Sequence, residues 1–382
     1  MRQRRRAGRR SIDAMREIAS AELHVLAREL NERISGSYIK KFYDMGGGRF
    51  KLVLHKEDKL VLYIDMLRTA NLTGVSEQAG QATAFAMAVR KRMENSKITG
   101  VEQHGSDRIL IMHISGAKDY TMIIEMFAKG NLIITDKDYR IELCYRIADL
   151  RDRQVRPKAL YVFPKSDSIS IYPLDSKALD RVLEEAAASS AGAVSFLSKR
   201  INIGPVYLEE IIRGCGLDPR ERLGREWIGK LSSAITSFLG GLGKPQFSAY
   251  IDENGIVDYS VVPLGRHAGK KMVEYGSLNE LLDGLYMGQR LDTRDEEKER
   301  KVKEIEISIG KQKESAASLK EKAVEYGNAA NRIFENMNEI NALISYMREN
   351  RRAGAAELSG EFRGFRILGI DLKNKTVRID IG

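Results

Sequence analysis

Between Val302 and Met347 fourteen positions step by three and four in strict alternation, from Val302, Ile305, Ile309, Gln312, Ala316 and Leu319 onward to Ile340, Ile344 and Met347, and only Gln312 is clearly polar. A repeat of 3.5 residues fits an α-helix with one apolar seam and no other regular structure. It predicts a helix over residues 292–350, about 90 Å long at ~1.5 Å per residue. Such a seam needs a partner, either a second copy of the chain or a return helix within it. No matching stripe follows Arg352, so the expectation is that the sequence stops before a second coiled-coil strand. Self-association through the stripe is the other way to cover it. The remaining runs, Phe365 to Leu368 and Thr376 to Ile381, read as a terminal hairpin within 354–382.

Upstream the pattern changes. Ser20 is placed to cap a helix whose Leu23, Leu26, Ala27 and Leu30 fall on one face, with Glu22, Arg28, Glu29 and Arg33 on the other. Short β-like runs follow at Tyr38 to Tyr43, Phe50 to Leu54 and Leu60 to Ile64, separated by Gly46-Gly47-Gly48 and a charged turn. A second helix spans Ala82 to Met93, with Phe85, Ala86, Val89 and Met93 inward and Arg90, Lys91 and Arg92 at its C-terminal end, where cations suit the helix dipole. Four more strands, Ile98 to Gln103, Arg108 to Ile114, Tyr120 to Met126 and Asn131 to Thr135, read as a meander. Around Arg151 to Pro164 the chain is basic and aperiodic, which marks a boundary or a functional loop.

From Ser176 to Leu239 the reading is helical, with breaks at Gly192, Gly204-Pro205, Gly214 and Gly216. Ile203-Gly204-Pro205 between two short helices has the shape of a helix-hairpin-helix, where backbone N–H groups can hold a phosphate; from the local sequence alone a packed helical connector is the plainer reading. Phe247 to Ile251 and Ile256 to Val262 look like a hairpin, and Leu278 to Leu285 like a helix. The fold class is therefore α+β. An antiparallel β-rich domain with two helices fills 15–172, and a helical helix-hairpin-helix domain fills 173–243. A hairpin and helix over 244–290 return to the first domain, and a coiled-coil helix occupies 291–353.

Composition bounds the chemistry. Two cysteines, Cys144 and Cys215, can build neither a disulfide framework nor a four-thiolate zinc site. No stretch has the ~18 uncharged apolar residues of a membrane span, so the expected setting is cytoplasmic, without membrane contact. The net charge is +10, and six of the cations are arginines in the first ten residues. Residues 1–14 read as a basic, unstructured extension, with Met15 opening the patterned chain. A modest basic excess is compatible with a polyanionic partner such as RNA. The five histidines show no metal-ligand spacing, and there is no phosphate loop, nucleophile elbow or zincin motif. Accordingly no catalytic residue, metal or cofactor is expected. Gly46-Gly47-Gly48 reads as turn chemistry. Asp107-Arg108 at a strand start pairs a carboxylate with a guanidinium, a directional device for a base edge or a phosphate.

The order of these pieces resembles a family. Ser20-Ala21-Glu22-Leu23 with Leu26-Ala27-Arg28-Glu29-Leu30-Asn31, then Phe85 to Lys91, Glu102-Gln103-His104-Gly105-Ser106-Asp107-Arg108-Ile109 and Met126 to Ile133 are similar to the N-terminal domain of the NFACT proteins. Arg151-Asp152-Arg153 with Pro157, Tyr161 and Pro164 fits the same pattern, and the resemblance covers residues 15 to 290 before continuing in order into the coiled coil. It implies a ribosome quality-control factor, also known as fibronectin-binding-protein-A-like. Such a factor binds the large ribosomal subunit holding stalled peptidyl-tRNA. It recruits aminoacyl-tRNA, typically alanyl-tRNA, so that the nascent chain grows a C-terminal tail without mRNA, the ribosomal RNA performing peptide transfer.

In the family an Asp-Arg pair, matched by Asp107 and Arg108, engages tRNA together with an acidic residue at the head of the first helix. Here that residue is Glu22 where the family usually has Asp. Arg28, Arg49, Arg90, Lys91 and Arg92 are further candidate tRNA contacts, because single strands and loops are recognised by basic side chains and stacking. The resemblance extends in architecture to the formamidopyrimidine-DNA-glycosylase group, whose chemistry needs a terminal proline amine; here the second and third residues are Arg2 and Gln3. A structural coiled-coil adhesin is the remaining alternative.

Overall fold

The computed structural model describes residues 16–74, 83–253, 255–350, 360–371 and 373–380, and divides the chain into two units, Met1–Thr293 and Arg294–Gly382. The basic extension expected at 1–14, the expected helix start at Ala82 and the expected strand end at Ile381 lie outside the described residues.

The first unit opens with α1 (Ser20–Ile34), followed by β1 (Tyr38–Gly46), β2 (Arg49–His55), β3 (Lys59–Asp65) and β4 (Thr69–Leu72). After α2 (Ala84–Met93) come β5 (Lys97–Gln103), β6 (Ile109–Ser115), β7 (Tyr120–Glu125), β8 (Asn131–Asp136) and β9 (Ile141–Cys144). The strands form one antiparallel sheet in the order β4-β3-β2-β1-β5-β6-β7-β8-β9. β4 and β9 are strands the sequence reading lacks, each only four residues long. Its two halves barely join, for β1 meets β5 only at Tyr38 opposite Lys97. Because the halves part there, Phe42, Phe50, Leu52 and Ile64 of one share a core with Leu110, Met112, Ile124 and Ile134 of the other. α1 closes this core with Leu23, Leu26, Ala27 and Leu30, all buried. α2 adds Ala86, Val89 and Met93, and Thr83 caps it by accepting from Ala86 N at 3.2 Å.

Strands β6 to β8 are apolar at consecutive positions, as expected where both sheet faces are covered. Ile109, Ile111, Ile123 and Ile133 face a second core with Val155 and Tyr161. The segment Arg151 to Pro164, expected as a boundary or loop, therefore covers the sheet. It carries β11 (Gln154–Val155), paired to β10 (Ala148–Asp149). Arg153 enters that core because Glu125 Oε1 accepts from its Nη1 at 2.5 Å and from the Tyr161 hydroxyl at 2.8 Å.

Helices α3 (Ser176–Ala188), α4 (Ala193–Arg200), α5 (Pro205–Gly214) and α6 (Ile228–Gly241) follow, and Gly192, Gly204 and Gly214 fall at their ends. Gly204 has φ +107°, and a Cβ there would sit 2.7 Å from Ala19 Cβ. Only glycine permits both that backbone and that approach. The connector before α5 is thus packed against the start of α1, with Ile203 fully buried.

A small sheet of order β13-β12-β14 comes next, from β12 (Phe247–Asp252), β13 (Gly255–Ser260) and β14 (Lys271–Tyr275), the last absent from the sequence reading. α7 (Leu278–Leu282) then docks on α1: Glu29 accepts from Leu278 N and Asn279 N at 2.9 Å each, taking two N–H groups the short helix leaves open. Asn279 Oδ1 in turn accepts from Leu72 N at 2.6 Å, which ties β4 to the same place.

The long helix is α8 (Gly288–Glu335), followed across Asn336 by α9 (Met337–Glu349). One helix over 292–350 was the expectation; the break at Asn336, with φ −105° and ψ 20°, divides it. Its apolar stripe stands open, Ile305 being 58% and Leu319 65% exposed. The second unit ends in a three-stranded sheet, β15 (Gly360–Phe362), β16 (Phe365–Asp371) and β17 (Thr376–Asp380), where a two-stranded hairpin was expected. Tyr346 of α9 lies against Phe362, ring centroids 5.0 Å apart.

Candidate nucleic-acid interface

The start of α1 differs from its expected form. Ala19, not Ser20, occupies the cap position, and with no side-chain acceptor of its own it relies on Glu22, whose Oε2 accepts from Ala19 N at 2.7 Å. Ser20 is the first helical residue, and its hydroxyl donates to the Ser106 carbonyl. That contact anchors the turn between β5 and β6, which carries Asp107 and Arg108.

Glu22 stands at the head of α1 as the resemblance implies, but on the buried side. It has no exposed surface, and its oxygens accept from Arg16 Nη1 at 2.9 Å and from the Tyr207 hydroxyl at 2.6 Å. Arg16 also donates to Asp258 Oδ1 at 2.9 Å and to the Tyr259 carbonyl at 2.6 Å. Burial opposes the charge on Arg16, but Glu22 and the surrounding groups outweigh it and raise its pKa well above the usual value. Asp258 shows the same balance: burial would raise its pKa, yet Arg16, His267 and Arg266 hold it at about 2. Glu22 thus belongs to an ionic cluster joining α1, α5 and β13.

Asp107 and Arg108 lie in the bend immediately before β6 and do not pair with each other. Asp107 is half-buried; its carboxylate accepts from Asn202 Nδ2 at 3.4 Å, and its carbonyl from Gln103 Nε2 at 2.8 Å. Burial raises the Asp107 pKa, opposed by His104 and Asn202. The Arg108 guanidinium forms an ion pair with Glu17. Beside this bend His104 stacks on Phe163, centroids 3.6 Å apart at 8°.

The same turn forms one rim of a groove of about 230 Å³ between α1 and β5, lined by His24, Arg28, Asn31, Gln103, Gly105 and Tyr172. His24 lies flat on Tyr172, centroids 3.6 Å apart at 10°. Arg28 is exposed and forms no ion pair among the described residues. Of the predicted site residues, the structure brings Arg28, Asp107 and Arg108 to this neighbourhood.

The other four gather elsewhere, around the β1–β2 hairpin and the end of α2. Arg49 Nε donates to the Gly46 carbonyl at 3.0 Å. Arg90 donates to the Phe42 carbonyl at 2.6 Å and lies 4.7 Å over the Tyr43 ring. Lys91 is exposed, and Arg92 faces Glu142 at 3.6 Å. Lys51 covers Tyr43 at 5.0 Å, a basic and aromatic pairing the sequence reading does not contain. Its only signal is the hairpin register that sets Tyr43 opposite Lys51. Tyr172 had no local signal, since it reaches the groove from 148 positions beyond His24. Among the described residues no cluster of three or more His, Cys, Asp or Glu could hold a metal, and no helix is long and apolar enough to cross a membrane.

The profile of the NFACT N-terminal and middle domains matches residues 20–361. The archaeal Rqc2 homolog aRqcH of Methanocaldococcus jannaschii is 26% identical over 354 residues, covering 88% of this chain and 52% of that protein. The ribosome quality control complex subunit NEMF of Mus musculus is 22% identical over 363 residues, 86% of this chain and 34% of that protein. The chain therefore spans about half the length of the archaeal relative and a third of the murine one. Among solved structures, the fibrinogen binding protein from Staphylococcus aureus superposes with a TM-score of 0.59 at 20% identity, over 70% of this chain and 98% of that one. The N-terminal part of the fibronectin/fibrinogen-binding protein from Streptococcus suis gives 0.57 at 18% identity, over 71% and 100%. These two likenesses concern the fold alone. The profile match extends through both units, and the chain belongs to the NFACT family.

Proposed function

We propose that this chain is the N-terminal and middle part of a ribosome quality-control factor that acts in the cytoplasm. It binds the large ribosomal subunit carrying stalled peptidyl-tRNA and recruits aminoacyl-tRNA, alanyl-tRNA by the family resemblance, for mRNA-independent tailing of the nascent chain. It needs no cofactor and catalyses nothing itself; peptide transfer belongs to the ribosomal RNA. Relatives named as subunits of a ribosome quality control complex support the quality-control reading.

The observation that carries the RNA reading is the bend at Asp107 and Arg108 beside a groove bordered by Arg28, a cation with no ion pair among the described residues. Its carboxylate and guanidinium point to different partners, so an RNA loop can be offered an acceptor and a cation at once. The hairpin group of Arg49, Arg90, Lys91 and Arg92 supplies a second run of positive charge for phosphates. Glu22 serves tRNA engagement indirectly, by fixing the head of α1 to which the Asp107 turn is tied through Ser20.

The test is equilibrium binding of the purified chain to total tRNA across a salt series, with a damaged-base DNA duplex as competitor. tRNA is expected to win, its affinity to fall with salt, and Asp107→Ala and Arg108→Ala each to weaken it at unchanged circular dichroism. Preference for or cleavage of the duplex would move the reading to a glycosylase-like protein, and unchanged affinity in both variants would take the two residues out of the site.

A further inference from the structure

We propose that Asn202, on the connector that leads into α5, is a positioning residue for the bend before β6: its side-chain amide holds the Asp107 carboxylate in place as an acceptor and keeps it apart from the Arg108 guanidinium. The inference rests on the reading of the chain as an RNA binder, and it gives the helical domain a part in a site that the β-rich domain carries.

Unlike charges on adjacent residues attract, and a pair closed on itself has little left to offer a ligand. Here the two are held separately. Glu17 takes the Arg108 guanidinium in an ion pair, and Asn202 Nδ2 donates to Asp107 Oδ1 at 3.4 Å. The two holders differ in kind. Glu17 cancels charge, whereas the Asn202 amide is neutral and leaves the carboxylate its full negative charge. An amide turned the other way would set its oxygen against the carboxylate, so Nδ2 is the atom that faces Asp107. The second oxygen, Oδ2, accepts no hydrogen bond among the described residues and stays open to a donor from outside.

A residue that positions another must itself be firmly placed. Ile201 and Ile203, on either side of Asn202, are fully buried. The Ile203 carbonyl accepts from Ala21 N at 3.4 Å, which ties the connector to the first turn of α1. Gly204 then brings the backbone against Ala19. Between its two buried neighbours Asn202 is left half-buried at the surface, beside the bend. The bend is fixed from its own side as well: Gln103 Nε2 donates to the Asp107 carbonyl at 2.8 Å, and Asp107 N donates to the His104 carbonyl at 3.0 Å. Backbone contacts on one side and the Asn202 amide on the other thus define where the carboxylate stands.

The titration of Asp107 carries a signature of this contact. Burial raises its pKa, and His104 and then Asn202 act against that rise. The charged and titratable groups about the bend are His104 and Arg108 on the turn, Glu102 in β5 and Glu17 ahead of α1, and the helical domain adds the neutral Asn202. Removing the amide takes away a donor to the charged form, so the carboxyl midpoint rises. A residue that served only to pack the connector would leave that midpoint where it is.

The experiment follows the Asp107 carboxyl by ¹³C NMR in the full chain labelled at aspartate, titrated from about pH 3 to pH 8, the signal being assigned by its loss in Asp107→Asn. Asn202→Ala is expected to move the midpoint up, and Asn202→Asp, which keeps the size but puts a like charge where the donor was, to move it further. In parallel, tRNA affinity at pH 7 is expected to fall about three- to tenfold in Asn202→Ala, as for loss of one hydrogen bond, at unchanged circular dichroism. Its decline on acidification is expected to begin at a higher pH than in the wild type. A midpoint unmoved in both variants overturns the inference. So does tRNA affinity unchanged by Asn202→Ala where Asp107→Ala weakens it, with the RNA reading left standing. A midpoint that rises as expected in a chain whose tRNA affinity ignores Asp107→Ala supports the hold of Asn202 on the carboxylate and overturns the part of the bend in RNA binding.

Discussion

Glu22 and Tyr207 stand 185 positions apart in sequence, and their side chains meet at 2.6 Å with no exposed surface on either. The Tyr207 hydroxyl also accepts from Val261 N at 3.2 Å. One phenol thereby binds α1, where Glu22 sits, to α5 and to the end of β13. Burial, then Glu22, drives the Tyr207 pKa well above its usual value, so the hydroxyl keeps its proton and donates it to Glu22.

Removing either member has a different cost. Glu22→Gln leaves Arg16 with one buried countercharge fewer, and the loss for breaking such a pair is about 3 kcal/mol. Tyr207→Phe keeps the packing but leaves Val261 N without its acceptor and takes one donor from Glu22 Oε1, which Arg16 still holds, at about 1–2 kcal/mol. Urea denaturation followed by circular dichroism should show both midpoints lowered at unchanged slope, the first more than the second. A Glu22→Gln midpoint equal to the wild type would mean the cluster contributes nothing to stability.

Acid should unpick the same cluster. Asp258 has its folded pKa held at about 2 against an ordinary 3.8, by Arg16, His267 and Arg266 acting against burial. A depressed carboxylate pKa contributes stability that is fully present above 3.8 and is lost as pH falls through 2. By linkage the amount is about 2 kcal/mol. Asp258→Asn should therefore be less stable than the wild type at pH 5 and 7, with the gap narrowing below pH 4. Denaturation midpoints of the two proteins over pH 2 to 7 check this; a gap that is constant with pH would exclude the charge as its cause.

What the sequence showed, and what it hid, divides along range of interaction. Alternation and breakers located α1, α2 and the strands β2, β3 and β5 to β8 to within a residue or two, because those signals are local, while β1 runs three residues past its expected end at Tyr43. β4, β9 and β14 are four or five residues long and carry no alternation of their own; pairing with a neighbour defines them. Ser20 looked like a cap from its type alone, yet Glu22 made the cap and Ser20 turned to Ser106. Glu22 looked like a surface acid because its partners, the Arg16 countercharge and the Tyr207 hydroxyl, are invisible to helical periodicity. Asp107 and Arg108 were legible through the resemblance, whereas Tyr172, Asn202 and Glu17 reach the same bend only through the tertiary fold.

Glu17 gives the third prediction. Its carboxylate pairs with Arg108, and both side chains are partly exposed. The pair itself contributes little to stability in water. Glu17→Ala should therefore leave the denaturation midpoint unchanged while freeing Arg108 and removing one negative charge from the bend. If phosphates are held there, tRNA affinity rises by about two- to fivefold at low salt, with a steeper salt dependence. Weaker binding in Glu17→Ala would show that Glu17 positions Arg108 rather than competing for it.

The stripe along α8 gives the fourth. Ile305, Leu319 and Ile333 are 58%, 65% and 44% exposed at three-and-four spacing on a helix of 48 residues. An apolar seam of that length in water is unfavourable, and knobs-into-holes pairing with a like seam removes it. Self-association of this chain is the expected outcome, and it depends on concentration. Sedimentation equilibrium over a hundredfold concentration range should show monomer giving way to dimer, and Ile305→Glu with Leu319→Glu should hold the chain monomeric without changing the unfolding of the first unit. A wild-type chain monomeric throughout would mean that the seam is covered by something other than a second copy.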